Sequence, residues 1–183
     1  EWVVQAARLM LISARTAPKA GGEDDISTAL LYGEEKESLA AEMDRLGRER
    51  NRSGFNLGAK NLKDSEAVLL IGVKGREKYR HRLGGRDMDC GACGYQTCSE
   101  FEKAEKKMGN DFRGPTCMIK ALDLGIALGS VAKMASSFNI DSRLMYTIGV
   151  GAMKLKLLPE VDIIIGIPCL LYTSPSPRDR QKS

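Results

Sequence analysis

Apolar residues fall at Val3, Ala7, Met10, Leu11 and Ala14, the three-and-four spacing of one helix face, and Pro18 stops that helix. After a polar loop, Asp25 is placed to cap a short second helix over residues 26–32. Residues 34–50 carry Leu39, Met43 and Leu46 as a narrow apolar stripe on an otherwise charged helix. The run AVLLIGV, residues 67–73, shows no polar alternation and is bounded by charge and glycine, which predicts a strand buried on both faces. Residues 99–109 predict a short helix with Phe101, Ala104 and Met108 on one face and Gly109 as its stop. A long helix is predicted over residues 118–138, with Ala121, Gly125 and Gly129 forming a stripe that lets another helix or a flat ligand lie close. Asp141 is placed to cap a further helix marked by Leu144, Ile148, Ala152 and Leu155, a pattern that Gly149 and Gly151 weaken. VDIIIGIP, residues 161–168, reads as a second buried strand.

Two buried strands among several helices predict an α/β (α+β) body of three layers. The chain divides into residues 1–83 and 118–168 as two parts of that body, an inserted cysteine-rich segment over 84–117, and a tail over 169–183. The tail, CLLYTSPSPRDRQKS, breaks the apolar pattern and resembles a translated sequencing-adapter read, so it is expected to be non-native.

With 43% apolar and 28% charged residues in 183, the composition is that of a globular chain with a core. The longest apolar stretch carries Lys120, Asp123 and Lys133 inside it, which fits no membrane span. Residues 1–17 lack the basic start and small-residue cleavage site of a secretory signal, so a cytoplasmic protein is expected. The net charge is +4, and Arg178, Arg180 and Lys182 against Asp179 put +2 of it in the tail. The remaining +2 is too small to suggest a nucleic-acid partner.

Setting Cys169 aside with the tail, four cysteines remain, spaced C-x2-C-x4-C-x18-C at Cys90, Cys93, Cys98 and Cys117. Without an export signal, such clustering points to metal more than to disulfides. Zinc sites usually pair two short knuckles, whereas this chain has one, and its only histidine is His81. A [4Fe-4S] cubane takes three thiolates from a wrapping loop and one from afar, the arrangement seen here. Zinc, a disulfide or a free thiol remain the alternatives. Gly91, Ala92 and Gly94 let the loop backbone turn its amides toward the sulfurs, and Gly114 and Pro115 shape the approach to Cys117. Phe101 is placed either to shield the cluster or to fill the core. Lys74, Arg76, Lys78, Arg80, Arg82 and Arg86 gather ahead of it, with Glu77 and Asp87 as exceptions; they either ease burial of an anionic cluster and steer an acidic redox partner protein, or form a solvated loop.

CGACGYQTCSEF with the later GPTC resembles the four-iron cluster domain of corrinoid iron-sulfur and CO dehydrogenase/acetyl-CoA synthase subunits. Over nearly all of residues 1–168 the chain resembles an uncharacterised ferredoxin-domain family of anaerobic bacteria and archaea. The order of its other pieces, AARLMLISARTAPKAGG, DLGIALGSVAKMASSFNI and LLPEVDIIIGIP, is similar to a reduced nitroreductase-like domain. That likeness implies an FMN site at a homodimer interface. The arginine-rich start that grips the flavin phosphate is not in view, and Arg8, Arg15, Lys19 and Asp25 make an incomplete substitute, so flavin binding stays open. The expectation is an electron-transfer or redox-sensing protein with one [4Fe-4S] cluster; a cluster-fed flavin oxidoreductase and a zinc-stabilised binding module are the alternatives. Four thiolates leave no iron open to substrate, and no catalytic residue is assigned.

Overall fold

The computed structural model describes residues 1–75 and 87–170. Its centre is a four-stranded sheet of order β1-β2-β6-β5, antiparallel throughout, built from Ile26–Tyr32, Ala67–Val73, Ile163–Leu170 and the short Asp141–Ser142. All seven residues of β2 are buried, as a continuous apolar run demands. Their alternation divides the core in two. Ala67, Leu69, Ile71 and Val73 face helices α1 (Trp2–Thr16) and α5 (Met118–Ser137), while Val68 and Leu70 face α2 (Glu34–Glu49), α3 (Ser53–Asp64) and α6 (Tyr146–Lys154). The three layers expected from the sequence are therefore present, at roughly 1.5–3 kcal/mol for each fully buried Leu or Ile.

Four local expectations fail, each for a tertiary reason. Residues 26–32 are strand β1 instead of a helix: seven residues cannot sustain an isolated helix, whereas β2 offers a full ladder from Ile26↔Val73 to Tyr32↔Ala67. Asp25 therefore caps nothing and turns to Lys120 instead. Asp141 is no cap either; it belongs to β5, and α6 starts five residues later behind Met145. β6 runs to Leu170, two residues past the predicted strand end, because Cys169 and Leu170 pair with Ser142 and Asp141. The helix expected over 99–109 is α4, Cys98–Lys103, and Met108 lies instead in the hairpin of β3 (Lys107–Met108) and β4 (Arg113–Gly114). Helix α3 is not among the elements that the apolar pattern predicts.

α6 packs tightly on β6. A Cβ at Gly149 would collide with the Ile164 carbonyl, and one at Gly166 with the Ile148 side chain. Gly149, which weakens α6 by propensity, is what lets the helix approach the sheet.

Candidate metal centre

The cysteine segment leaves the body after Gly75 and returns to it at α5. Its loop turns at Gly91 (φ 71°) and Gly94 (φ 89°), with the Gly94 amide donating to the Gly91 carbonyl at 3.0 Å. No side chain or backbone comes near the missing Cβ of Gly94, so glycine serves there for its left-handed backbone and not for space. Thr97 and Glu100 form a capping box: the Thr97 hydroxyl accepts from the Glu100 amide at 3.1 Å, and the Glu100 carboxylate accepts from the Thr97 amide at 3.4 Å. That box starts α4 at Cys98, whose own amide donates to Asp89 Oδ1 at 2.7 Å. Phe101 is buried, with its ring 5.9 Å from that of Tyr95.

Cys117 stands just ahead of the first turn of α5. Its amide donates to the Gly75 carbonyl at 2.8 Å, joining the fourth thiol to the end of β2. The Gly75 amide in turn donates to Asp162 Oδ2 at 2.9 Å.

All four predicted ligands are free thiols at or near the surface: Cys90 is exposed, and Cys93, Cys98 and Cys117 are half-buried. Among the described residues no three Cys, His, Asp or Glu side chains converge at single-ion distance. A cubane several ångströms across spreads its ligands wider than one ion does, so a donor set of three thiols on a glycine-turned loop and a fourth at the head of α5 suits that group by its chemistry. Burial, and then the carboxylates of Asp87 and Asp89, push the Cys98 thiol up; the Asp89 amide acts the other way. Cys169 is a different kind of thiol. It is fully buried in β6, and burial pushes it up to about 12.

Two polar anchors seat the segment, and neither was evident in the sequence. At the hairpin tip, Arg50 pairs with Asp111 and donates to the Asn110 carbonyl at 2.9 Å, while the Tyr146 hydroxyl donates to Asp111 Oδ2 at 2.6 Å. At its base, the Asp162 carboxylate meets Lys106 Nζ at 2.6 Å and Arg113 Nε at 3.7 Å. The only sequence signal was an acid at the mouth of an apolar strand. Of the basic run, Arg76, Lys78, Arg80, Arg82 and Arg86 lie outside the described residues, as do Glu77 and His81. Lys120, fully buried one turn into α5, pairs with Asp25 and lies 3.8 Å from Asp123.

A family model described as "Uncharacterized protein containing a ferredoxin domain" matches residues 113–177. A protein of Archaeoglobus fulgidus carrying the name "Uncharacterized protein" is 44% identical over 168 residues, 92% of this chain and 86% of that relative. The chain belongs to this ferredoxin-domain family. The match to the family model includes Cys117 and extends past Pro168. Solved structures similar to this ferredoxin-domain protein include the nitroreductase CinD from Lactococcus lactis in complex with nicotinic acid, at TM-score 0.61 and 11% identity over 93% of this chain and 79% of that one. A nitroreductase with bound FMN from Desulfitobacterium hafniense gives 0.58 and 10%, over 94% and 80%. At these identities the likeness establishes the fold, which is nitroreductase-like. No helix among the described residues is long and apolar enough to cross a membrane.

Proposed function

We propose that the protein is a one-electron carrier or redox sensor that holds a single [4Fe-4S] cluster through Cys90, Cys93, Cys98 and Cys117. The observation that carries this reading is the arrangement of those four free thiols, three on a loop turned by left-handed glycines and the fourth tied by its amide to the end of β2. Such a cluster supplies one-electron exchange at a potential set by amide hydrogen bonds, nearby charge and solvent. The chain's own part is to fix the thiols. The capping box holds Cys98 at the head of α4, and Gly75 holds Cys117 at the head of α5. A redox partner reaches the site from the loop side, where Cys90 is exposed, and the cations of residues 74–86 suit an acidic partner.

Anaerobic purification followed by iron and sulfide analysis and EPR spectroscopy tests the reading. Close to four irons and four sulfides per chain are expected; stoichiometric zinc without sulfide would overturn it.

A second reading, a flavin oxidoreductase fed by the cluster, is favoured by the nitroreductase-like fold and by the open stripe of Gly125 and Gly129 on α5. Against it, Arg15 and Lys19 are already engaged with Asp24 and with backbone carbonyls. Saturable quenching of FMN fluorescence at micromolar protein would place this reading first.

A further inference from the structure

We infer that Asp162 is a positioning residue of the cluster site, the buried anion that seats both the β3–β4 hairpin and the Cys117 backbone. Its carboxylate is fully buried in front of β6 and gathers three groups from different parts of the chain. Lys106, at the entrance of the hairpin, reaches Oδ2 at 2.6 Å; Arg113, at its exit, approaches Oδ1 at 3.7 Å; the Gly75 amide donates to Oδ2 at 2.9 Å. The main chain of the same residue repeats the link. The Asp162 amide donates to the Val73 carbonyl at 2.9 Å, and its carbonyl accepts from the Arg113 amide at 3.0 Å.

The Gly75 peptide then passes the constraint on. Its amide is held by Asp162 and its carbonyl by the Cys117 amide, so the carboxylate, the Gly75 backbone and the Cys117 backbone form a single hydrogen-bonded line. Thr116 packs against Gly75 so closely that a Cβ there would lie 2.8 Å from the Thr116 hydroxyl. A buried carboxylate is costly unless its charge is met; here Lys106 and the Gly75 amide meet Oδ2, while Oδ1 makes no hydrogen bond and has only the Arg113 charge at 3.7 Å. Those cations both come from the cysteine segment, so the segment and the carboxylate each stabilise the other's placement.

The hold on the hairpin stands on these contacts alone, whereas an effect on the cluster rests on the cluster reading above. Asp162→Asn keeps the size of the side chain and removes its charge. In full-length protein as purified, it is expected to speed tryptic cleavage after Lys106, Lys107 and Arg113 roughly tenfold, the scale of a lost charged hydrogen bond. Cleavage after Lys60 and Lys63, within helix α3, is expected to stay unchanged. Lys106→Gln breaks the same link from the half-exposed side and is expected to speed cleavage after Arg113, which keeps the question open to test should the Asp162 variant fail to fold. Where the cluster is retained, Asp162→Asn is expected to raise its reduction potential, because one buried negative charge no longer opposes the electron.

Unchanged hairpin cleavage in both variants overturns the assignment, as does acceleration that is equal at Lys60 and Lys63. An unchanged potential in a variant that keeps its cluster overturns the effect on the site. If wild-type protein carries no iron and sulfide, the cluster reading falls by itself, and the proteolysis still decides what Asp162 holds.

Discussion

The Cys117 amide and the Gly75 carbonyl are joined at 2.8 Å, and nothing larger than glycine fits on the Gly75 side of that junction. The methyl of an alanine would lie 2.8 Å from the Thr116 hydroxyl and 2.9 Å from its methyl. Gly75→Ala is therefore expected to cost about 1–3 kcal/mol as overpacking and to displace Cys117. The measurement is iron content after anaerobic purification. A large loss in Gly75→Ala, restored in Gly75→Ala/Thr116→Ala where the two crowding atoms are gone, is the expected pattern; no rescue by the double variant would refute the steric account.

Serine at Cys90, Cys93, Cys98 or Cys117 is expected to lose or destabilise the cluster, since each removes one of four thiolates. Cys169→Ser should leave iron and sulfide unchanged but lower the melting temperature. The Cys169 sulfur is fully buried in the layer formed by α1, α5 and the sheet, where a hydroxyl is poorly accommodated and costs on the order of 1 kcal/mol. Loss of iron in Cys169→Ser would show that the fifth cysteine reaches the site.

Much of the body was legible because its signals are local. β2 is apolar at every position but a glycine, and α5 repeats apolar residues over five turns, so neither needed a partner to be recognised. The four candidate ligands could be singled out for the same reason, since thiol spacing is a property of the chain alone. What escaped depends on pairing at long range. Residues 26–32 carry Ile26, Ala29 and Leu30 at helical spacing behind a cap-like Asp25, and only the free edge of β2 turns them into a strand. β5 exists only because Cys169 and Leu170 lie opposite it. α3 was hidden by Gly54 and Gly58, the latter needed where Thr147 and Met43 press against the helix. Asp162 looked like any acid at the end of a strand; its role appears when Lys106 and Arg113, both more than 45 residues away in sequence, arrive at its oxygens.

The anchor at the hairpin tip carries a pH signature. Burial alone would push the Asp111 carboxyl up, but hydrogen bonds from Tyr146 and Arg50 outweigh it and hold the group below the ordinary carboxylate value. A depressed value means that the stabilisation is complete above the ordinary carboxylate range and is lost as pH falls through the folded value. Tyr146 shifts the opposite way, raised by burial and then by Asp111, so its share is present below about pH 10 and is lost as pH rises through its folded value. Asp111→Asn is expected to lower stability at pH 7 by roughly 1–3 kcal/mol and to flatten both the acid limb and the limb above pH 10. Urea melts from pH 2 to 11 check this. Parallel profiles for the two proteins would refute it.

The outward face of α5 yields the last prediction. The helix carries apolar side chains on two sides: Leu124, Ala127, Leu128, Val131 and Ala135 are buried in the core, yet on the outward side Leu122 is 54% exposed and Ile126 44%. An apolar patch on the outward side of a packed helix marks a surface suited to cover by another one. Between those two residues and beyond them, Gly125 and Gly129 have open space where a Cβ would stand, so a second helix can approach closely there. The same surface of a second copy would supply a self-complementary cover with two-fold symmetry. Sedimentation equilibrium of the full chain is expected to give a dimer at micromolar concentration, and Ile126→Glu, which would bury an unpaired charge in that contact, is expected to give a monomer with its cluster intact. Gly125→Ala separates the two states of the helix. On an uncovered helix it should stabilise the chain by about 0.5–1 kcal/mol, as alanine does at any exposed helical site, whereas across a close helix contact it should weaken association. A wild-type protein that sediments as a monomer and gains stability from Gly125→Ala would show that this face meets only solvent.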